Sequence, residues 1–336
     1  MPETLKIIVP MAGYGSRMRP LTWSKPKPLI AIAGKTVLDY VLEQFSSLPD
    51  PEHTEYIFVI GPTGWPVKTF MQEKHPDKKC QYVVQTEMRG QSDALWLARE
   101  HLTGPVLMAF ADTLIETDLS SLQNESCDGV TWVKPVPDPR RFGVAEVDSE
   151  GFVRRLIEKP QDIENNLVVV GFYYFRSGER LITAIEEQMR RDIKLKNEFF
   201  LADAVNIMLA EGARFRTERV SVWLDAGVPE TVLATNRYLL DHGCGNESEI
   251  VQPGVVIIPP VFIHPEASVE RAVIGPHVSV GRGCEIRDSL LKNSILDEHV
   301  RLVSMNLQDS LIGQNVVLEG QYSRVNLGDN SGFWNG

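Results

Sequence analysis

The first 240 residues of the chain combine two hydrophobic periods. Continuous apolar runs predict buried strands, as at Leu5–Val9, Tyr56–Ile60 and Val106–Asp112. Between these runs, apolar positions return every three or four residues, as in Val37–Phe45, and this spacing predicts amphipathic helices. Strands that alternate with helices are typical of a doubly wound α/β sheet, in which ligands lie at the carboxyl ends of the strands.

The alternation continues through the rest of this region, with a hairpin in its middle. Thr36 and Asp39 have the spacing of a capping pair at the start of the first helix. A hairpin is expected between about Arg141 and Ile157. Further strands are predicted at Gln81–Gln85, Val130–Val133 and Val168–Phe175, and further helices at Val67–Lys74, Ala94–His101, Gly178–Arg191 and Thr231–Leu240.

Beyond residue 250 the hydrophobic period changes to about six. Ile263, Val269, Ile274, Val280 and Ile286 mark this spacing, with glycines between several of them. Apolar residues at six-residue intervals are typical of a left-handed parallel β-helix built from hexapeptide repeats. Such coils bury a continuous core only by stacking, so we expect copies of the chain to associate as a homo-oligomer.

Together the two patterns predict a Rossmann-like, doubly wound mixed α/β sheet followed by a left-handed parallel β-helix. A chain of 336 residues is long enough for about two such domains. We expect the first domain at residues 1–240, a polar linker at 241–249 and the β-helix domain at 250–336. The final polar segment, Gly328–Gly336, is expected to be loose.

The loop after the first strand carries the clearest candidate chemistry. Gly13 and Gly15 lack a Cβ, so the backbone between them can approach a ligand closely. Amide groups of such a loop converge on anionic oxygen, and four cations follow within the same stretch: Arg17, Arg19, Lys25 and Lys27. The combination predicts a nucleotide phosphate site. It is not a Walker A loop, because no Gly-Lys-[Ser/Thr] closes it, and it is not G-x-G-x-x-G, because Met18 stands where the third glycine would be.

Charge and cysteine content narrow the class of ligand. The formal charge of -11 argues against sequence-independent nucleic-acid binding, which needs a basic face, so the cation cluster fits a small polyanion. The four cysteines are far apart and form no zinc or redox motif. No signal peptide precedes Leu5, and no apolar run is long enough to span a bilayer. We therefore expect a cytoplasmic protein without a membrane partner.

Carboxylates at strand ends suggest a magnesium site. Asp112 ends an apolar strand, which places it at the ligand-bearing edge of the predicted sheet. An aspartate after a strand is also common as a simple turn or cap residue. We favour the metal interpretation because phosphoryl transfer requires Mg²⁺, and hard oxygen donors are its preferred ligands.

The glycine loop resembles the signature of the sugar-1-phosphate nucleotidylyltransferases, in which G-G-x-G-[S/T]-R is followed by P-K-P-L. Ala12 replaces the first glycine of that pattern, which raises the question of whether the backbone there needs glycine. Gln85 and Gly90 have the spacing of the loop that reads the nucleobase in this family. The resemblance implies a nucleotide-binding set of Ala12, Gly13, Gly15, Ser16, Arg17, Gln85 and Gly90.

The resemblance covers nearly the whole chain and implies the remaining roles. Arg17 would hold the departing pyrophosphate and Lys27 would neutralise the α-phosphate. Trp223-Leu-Asp225-Ala-Gly227 is similar to a closing W-x-D-x-G-T-P element, with Val228 in place of threonine, and makes Asp225 the second Mg²⁺ ligand beside Asp112. Residues expected at the sugar phosphate are Gly143, Glu158, Lys159, Gly171 and Glu198.

The expected activity joins an NTP and a sugar 1-phosphate into an NDP-sugar, with release of pyrophosphate. dTTP or UTP and glucose 1-phosphate are favoured, and a mannose-1-phosphate guanylyltransferase is the alternative. A non-catalytic regulatory subunit of the same fold is a second alternative. A third is an acyltransferase activity of the β-helix, for which His264 and His277 would be candidates, although a surface turn explains them more simply.

Overall fold

The computed structural model describes residues 4–249 and 254–321. Gly328–Gly336 lies outside the described residues. The chain forms two compact units: residues up to Ile30 with Lys35–Thr235 make the first, and Ala31–Gly34 with the chain from Asn236 onward make the second. No helix in the described ranges is long and apolar enough to cross a membrane.

Strands and helices alternate through the first unit, as the hydrophobic pattern predicts. The helices are α1 (Val37–Glu43), α2 (Trp65–Lys74), α3 (Gln91–Leu97), α4 (Gly178–Arg190), α5 (Leu201–Ala210) and α6 (Pro229–Leu239). The strands up to α6 are β1 (Lys6–Met11), β2 (Ala31–Ile32), β3 (Lys35–Thr36), β4 (Glu55–Ile60), β5 (Lys79–Val84), β6 (Val106–Ala109), β7 (Thr113–Ile115), β8 (Gly129–Pro135), β9 (Gly143–Val147), β10 (Val153–Glu158), β11 (Leu167–Phe175), β12 (Phe215–Arg219) and β13 (Trp223–Asp225).

The main sheet is mixed. Its order is β10-β9-β11-β6-β1-β4-β5, and β8 adds to it by pairing with β11 and β12. The strands β1, β4, β5 and β6 run parallel, whereas β11 runs antiparallel to β6, β8 and β9. This arrangement confirms the predicted Rossmann-like mixed sheet.

Both faces of the central strands are buried. Ile8 and Met108 pack with Leu95, Leu181 and Leu201 of α3, α4 and α5 in one apolar cluster. Alternate positions of the same strands point to the other face. Because both faces are covered, these strands are continuous apolar runs rather than alternating ones.

The opposite face packs against α1 and the turn that follows it. The ring of Phe45 lies 6.2 Å from that of Tyr56 and 6.0 Å from that of Phe172. At the start of α1, Thr36 Oγ1 accepts a hydrogen bond from the Asp39 amide at 3.1 Å, and the Thr36 amide donates to Asp39 Oδ2 at 2.9 Å. This reciprocal pair confirms the predicted capping box.

The carboxyl ends of the parallel strands lie at one edge of the sheet. The loops after β1, β5 and β6 therefore share that edge, and they carry the glycine loop, Gln85 and Asp112. Strand β11 continues past the end of β6, since its Phe172 pairs with Ala109 of β6 and its Val168 pairs with Val144 of β9. The β9–β10 pair therefore lies close to the same edge of the sheet.

The second unit consists of short parallel strands in three sheets of four. The sheets are β14-β17-β20-β23, β15-β18-β21-β24 and β16-β19-β22-β25. Their strands are β14 (Val256–Ile257), β15 (Val261–Ile263), β16 (Ser268–Glu270), β17 (Val273–Ile274), β18 (Val278–Val280), β19 (Glu285–Arg287), β20 (Leu290–Lys292), β21 (Ile295–Leu296), β22 (Arg301–Val303), β23 (Asn306–Gln308), β24 (Leu311–Ile312) and β25 (Val317–Glu319). Three parallel sheets, each with one strand from every successive coil, are consistent with the predicted left-handed β-helix and confirm this part of the fold.

The coils are slightly shorter than three full hexapeptides. Val261 pairs with Val278, seventeen residues later, and Ile295 pairs with Leu311, sixteen residues later. The step of five residues from Val269 to Ile274 is one place where the six-residue spacing contracts. Each coil still directs its apolar residues inward to one continuous core, which includes Val269.

Candidate active site

The two glycines of the loop, Gly13 and Gly15, differ in the space that a side chain would have. Gly15 has a left-handed backbone (φ 59°), and a Cβ there would lie 3.0 Å from Thr22 Cγ2. Thr22 Oγ1 also donates to the Gly15 carbonyl at 2.7 Å, which closes the loop on itself. A Cβ on Gly13 would meet no atom within 4 Å, so protein packing does not require glycine there. Ala12 is buried without a left-handed backbone, and alanine fits this position without strain.

The two candidate metal ligands lie side by side because two distant strands pair. Antiparallel β7 and β13 place Asp225 opposite Thr113, the residue after Asp112. The Ala226 amide donates to the Asp112 carbonyl at 2.9 Å and extends this pairing. Lys27 Nζ forms an ion pair with Asp112 Oδ2. One cation and two carboxylates thus converge at the edge of the sheet.

The electrostatic environment of Asp225 is that of a buried carboxylate beside another one. Burial raises its pKa, and the Asp112 carboxylate raises it further, whereas Lys27 opposes both effects. Thr231 Oγ1 donates to Asp225 Oδ2 at 3.0 Å, and Thr235 Oγ1 donates to the Asp225 carbonyl at 2.9 Å. The first turns of α6 therefore hold Asp225 in place, Thr231 through the carboxylate and Thr235 through the backbone.

Arg17 and Ser16 lie in the 3₁₀ turn Ser16–Met18, on the exposed side of the glycine loop. No ion pair to Arg17 forms within the described part of the chain, so its guanidinium can meet a ligand from solvent. Lys27, in contrast, has a side chain that is only 13% exposed and is already paired. The two cations therefore differ in how firmly the protein positions them.

The candidate base loop is held by protein contacts on both sides. Gln85 is buried, and its Nε2 donates to the Gly90 carbonyl at 3.2 Å and to Asp93 Oδ2 at 2.9 Å. Gly90 has φ 104°, and a Cβ there would lie 2.5 Å from the Phe199 carbonyl oxygen. Packing against Phe199 is therefore sufficient to require glycine at position 90.

The candidate sugar residues gather at the base of the β9–β10 pair. Gly143 pairs with Glu158. Lys159 has an unusual left-handed backbone (φ 51°), and its Nζ lies 3.7 Å from Glu158 Oε1 and 4.4 Å from the Phe200 ring centre. Burial raises the pKa of Glu158, Lys159 opposes this, and the charge of Glu198 raises it again. The structure thus brings Gly143, Glu158, Lys159 and Glu198 near one another.

Comparison with known proteins shows the family of the chain. A family profile described as "Nucleotidyl transferase" matches residues 6–242. The chain belongs to the nucleotidyl transferase family. It is 28% identical over 338 residues to the bifunctional protein GlmU of Methanocaldococcus jannaschii, a match that covers 92% of this chain and 77% of GlmU. It is 27% identical to a glucose-1-phosphate thymidylyltransferase of Streptomyces antibioticus, covering 97% of this chain and 98% of that protein.

A solved structure shares the fold of this nucleotidyl transferase family member. It is the nucleoside-diphosphate-sugar pyrophosphorylase of Vibrio cholerae RC9, with a TM-score of 0.59 and 20% identity. The match covers 69% of this chain and 99% of that one. At this identity the likeness concerns the fold alone.

The paired carboxylates of this family member suit a divalent cation such as Mg²⁺. Asp112 and Asp225 supply hard oxygen donors, and a bound cation would offset the repulsion from Asp112, which adds to the effect of burial in raising the pKa of Asp225. No group of three or more His, Cys, Asp or Glu side chains in residues 4–249 and 254–321 is placed to hold a metal. A cation here would therefore take its other ligands from phosphate oxygens and water.

Packing around Gly171 explains why glycine is needed at this position, and the sequence does not reveal this packing. Gly171 lies at an irregularity in the pairing of β11 with β8, with φ 78°. A Cβ there would lie 2.1 Å from Phe110 Cδ2, and the Phe110 amide donates to the Gly171 carbonyl at 3.1 Å. Phe110 is two residues from Asp112, so Gly171 supports the turn that carries this carboxylate.

Sequence reasoning missed several residues that hold the site together, among them Asp93, Thr231 and Asn206. Asn206 in α5 acts on the edge strand β10: its Oδ1 accepts from the Leu156 amide and its Nδ2 donates to the Leu156 carbonyl, both at 2.8 Å. It thereby fixes the strand that ends at Glu158. The only signal in the sequence was a polar residue among apolar ones in a helix, which does not indicate its partner.

The two β-helix histidines make local contacts. His264 Nδ1 accepts from the Glu266 amide at 3.2 Å, and His277 Nε2 lies 2.8 Å from Asp241 Oδ1. These contacts explain both residues without an acyltransferase site.

Proposed function

We propose that this protein is a sugar-1-phosphate nucleotidylyltransferase. It transfers the nucleotidyl group of an NTP, with dTTP or UTP favoured, to a sugar 1-phosphate, with glucose 1-phosphate favoured. The convergence of Lys27, Asp112 and Asp225 beside an open glycine loop carries this proposal. The resemblance of the chain to a glucose-1-phosphate thymidylyltransferase over nearly the full length of both proteins supports it.

In the proposed reaction an oxygen of the sugar phosphate attacks the α-phosphorus in line. A new bond forms between that oxygen and the α-phosphorus, the bond to the bridging oxygen of the β-phosphate breaks, and pyrophosphate leaves with its electron pair. No protein nucleophile takes part. The protein's contribution is to position the reactants and to stabilise charge.

The residues of the glycine loop bind the nucleotide phosphates. The amides around Gly13 and Gly15 face the anionic oxygens, with Ala12 and Ser16 beside them, and the exposed Arg17 holds the departing pyrophosphate. Lys27 neutralises charge around the α-phosphorus as the attacking oxygen arrives.

Asp112 and Asp225 would hold Mg²⁺ between them. When bound, the cation polarises phosphate oxygens and neutralises the charge of the leaving group. Thr231 keeps the Asp225 carboxylate oriented through its hydrogen bond, so that both carboxylates are in place before the substrates arrive.

The second substrate binds at the β9–β10 end. Lys159 positions the sugar phosphate, and Glu158 and Glu198 accept hydrogen bonds from sugar hydroxyls, with Gly143 and Gly171 shaping the surface. Gln85 and Gly90 contact the nucleobase.

We further propose that the protein acts in the cytoplasm as a homo-oligomer. Light scattering of the purified chain would test the oligomeric state.

A mannose-1-phosphate guanylyltransferase is the alternative with the same reaction. The oxygen of the Gln85 amide can accept a hydrogen bond from guanine as well as from uracil or thymine. A non-catalytic regulatory subunit is the alternative without this reaction. Such a subunit would lose a metal carboxylate or the loop arginine, and Arg17, Lys27, Asp112 and Asp225 are all present.

The decisive experiment measures pyrophosphate release from a panel of NTPs with glucose, mannose and N-acetylglucosamine 1-phosphates, with and without Mg²⁺. Magnesium-dependent release with one pair would establish the activity and identify both substrates. If folded protein releases no pyrophosphate with any pair, the regulatory interpretation takes its place.

A further inference from the structure

The orientation of the Gln85 amide is fixed by its neighbours. Its nitrogen faces the Gly90 carbonyl at 3.2 Å and the Asp93 carboxylate at 2.9 Å. A carbonyl and a carboxylate can only accept hydrogen bonds, so the amide must turn its NH₂ group toward them. The reversed orientation would oppose the Gln85 oxygen to two other oxygens.

The oxygen of this amide is consequently the atom offered to a ligand. No residue in the described ranges donates to Gln85 Oε1, and this atom is not buried, although the residue as a whole is 4% exposed. Both hydrogens of the amide are already used by Gly90 and Asp93. At this position the site therefore presents a hydrogen-bond acceptor and no donor.

Asp93 also has a partner on its other side. It lies in the first turn of α3, is 4% exposed, and its second oxygen lies 3.6 Å from Arg89 Nη1. Arg89 in turn packs its guanidinium 5.5 Å from the centre of the Phe199 ring. The two oxygens of this carboxylate thus face different partners, Gln85 and Arg89.

We propose that Asp93 is a positioning residue which fixes the Gln85 amide with its oxygen outward, so that the site selects nucleobases with a ring N–H. This inference rests on the proposed function and adds the class of base to it. Uracil and thymine carry a ring N–H at N3, and guanine carries one at N1. Cytosine and adenine have a bare ring nitrogen at the same places, whose lone pair would face Oε1.

The test compares two pairs of nucleotides that differ at this ring nitrogen: UTP with CTP, and GTP with ATP. For the wild-type protein, kcat/KM for pyrophosphate release should favour the N–H member of the accepted pair by at least about tenfold, because the other member leaves opposed acceptors. A wild-type protein that uses or binds both members equally well contradicts the proposal.

Asp93→Asn tests the positioning itself. Asparagine can present either an oxygen or an NH₂ group, so position 93 no longer requires the NH₂ group of Gln85. Only the Gly90 carbonyl then still opposes the reversed amide, which would offer a donor to a bare ring nitrogen. The preference within the pair should fall by about tenfold, toward equality. If kcat/KM falls by the same factor for both members, so that their ratio is unchanged, Asp93 has only a structural role and the proposal is wrong.

Ser92→Ala is the matched control. Ser92 is fully buried in the same turn of α3, and its hydroxyl has no partner within residues 4–249 and 254–321. This variant should keep the wild-type preference. If Asp93→Asn does not fold, Asp93→Ala, which also removes the carboxylate, should show the same loss of preference, and an unchanged preference in it would contradict the positioning role.

Calorimetric dissociation constants for the same four nucleotides, without sugar phosphate, separate this inference from the proposed function. If no pyrophosphate is released but the binding preference exists in the wild type and is lost in Asp93→Asn, the proposed function fails and the inference holds. If pyrophosphate is released and Asp93→Asn keeps the wild-type preference, the proposed function holds and the inference fails. A folded protein that binds neither dTTP nor any of the four nucleotides contradicts both.

Discussion

The two ends of the candidate site differ in how they balance charge. At the phosphate end, Lys27 is paired with Asp112, and Asp225 lies next to them. At the sugar end, Glu158 is buried near the like charges of Glu198 and Asp203, with Lys159 as the opposing cation. The first end has one lysine for two carboxylates and the second has one lysine for three, so the second carries the larger excess of negative charge, which suits a ligand that brings hydroxyl donors.

The two ends also differ in how their backbones are fixed. Strand pairing of β7 with β13 fixes Asp112 and Asp225. Glu158 ends the edge strand β10, which pairs with β9 alone among the strands of the described ranges, and the Asn206 side chain supplies further hydrogen bonds to it. We therefore expect substitutions at the phosphate end to affect the chemical step most, and substitutions at the sugar end to affect stability and sugar binding.

The largest effect is expected from Asp225→Asn. Loss of the negative charge weakens Mg²⁺ binding and the stabilisation of the leaving group, so kcat should fall by roughly 10²–10³-fold. Pyrophosphate release measured against Mg²⁺ concentration checks this. Asp162→Asn, in an exposed turn, is the control and should behave as wild type. An unchanged kcat and Mg²⁺ dependence would remove Asp225 from the site.

Lys27→Ala should lower kcat by about 10²-fold and raise KM for the NTP by a smaller factor, since Lys27 acts on charge that develops at the α-phosphorus. Steady-state kinetics with varied NTP separate the two constants. Lys35→Ala removes an exposed lysine that pairs with Glu43 and should leave both constants unchanged. A variant with raised KM and normal kcat would show that Lys27 only binds substrate.

Asn206→Ala should affect the sugar end. It leaves the Leu156 amide and carbonyl without partners, which should lower the free energy of unfolding by about 1–3 kcal/mol. KM for the sugar 1-phosphate should rise and KM for the NTP should stay constant, because β10 carries Glu158 only two residues further on. Urea unfolding measures the free energy of unfolding, and steady-state kinetics measure the two KM values. Glu211→Ala, with an exposed side chain after the end of α5, is the control. Equal changes in both KM values would argue against a local role.

The smallest effect is expected from Glu158→Gln, on the pH dependence of stability. Burial raises the pKa of Glu158 above its ordinary value of 4.5, so ionisation of this carboxyl is less favourable in the folded protein than in the unfolded chain. Above that raised pKa the wild type is destabilised, and the variant should have the higher Tm at neutral pH. The difference should disappear as the pH falls below 4.5. Exposed Glu150→Gln should show no such trend, and a variant less stable at neutral pH would contradict this account.

Local patterns predicted much of the fold. Continuous apolar runs identified the central strands because those strands are buried on both faces, and the six-residue period identified the β-helix. The Thr36–Asp39 pair was predictable because a capping box needs only residues close in sequence. The predicted strand Val106–Asp112 is shorter in the structure, where β6 ends at Ala109 and Phe110 turns to pack on Gly171.

The rest depends on contacts between distant parts of the chain. Asp112 and Asp225 meet through a strand pair that joins segments more than one hundred residues apart. The partners of Asp93 and Asn206 depend on which way a helix face turns, and a polar residue in a helix does not reveal this. The resemblance implies ligand contacts at Gly90 and Gly171, and protein atoms of Phe199 and Phe110 give a second reason for glycine, because they lie where the side chains would be. A glycine in the sequence does not distinguish the two reasons.

Transfer of the nucleotidyl group is the central claim, and an NTP labelled at the α-phosphorus tests it most directly. The protein would be incubated with this NTP, a sugar 1-phosphate and Mg²⁺, and the labelled products separated. We predict that the label appears in an NDP-sugar and that the pyrophosphate released is unlabelled. Label that remains in the NTP, or that appears in a nucleoside monophosphate by hydrolysis, would contradict the account.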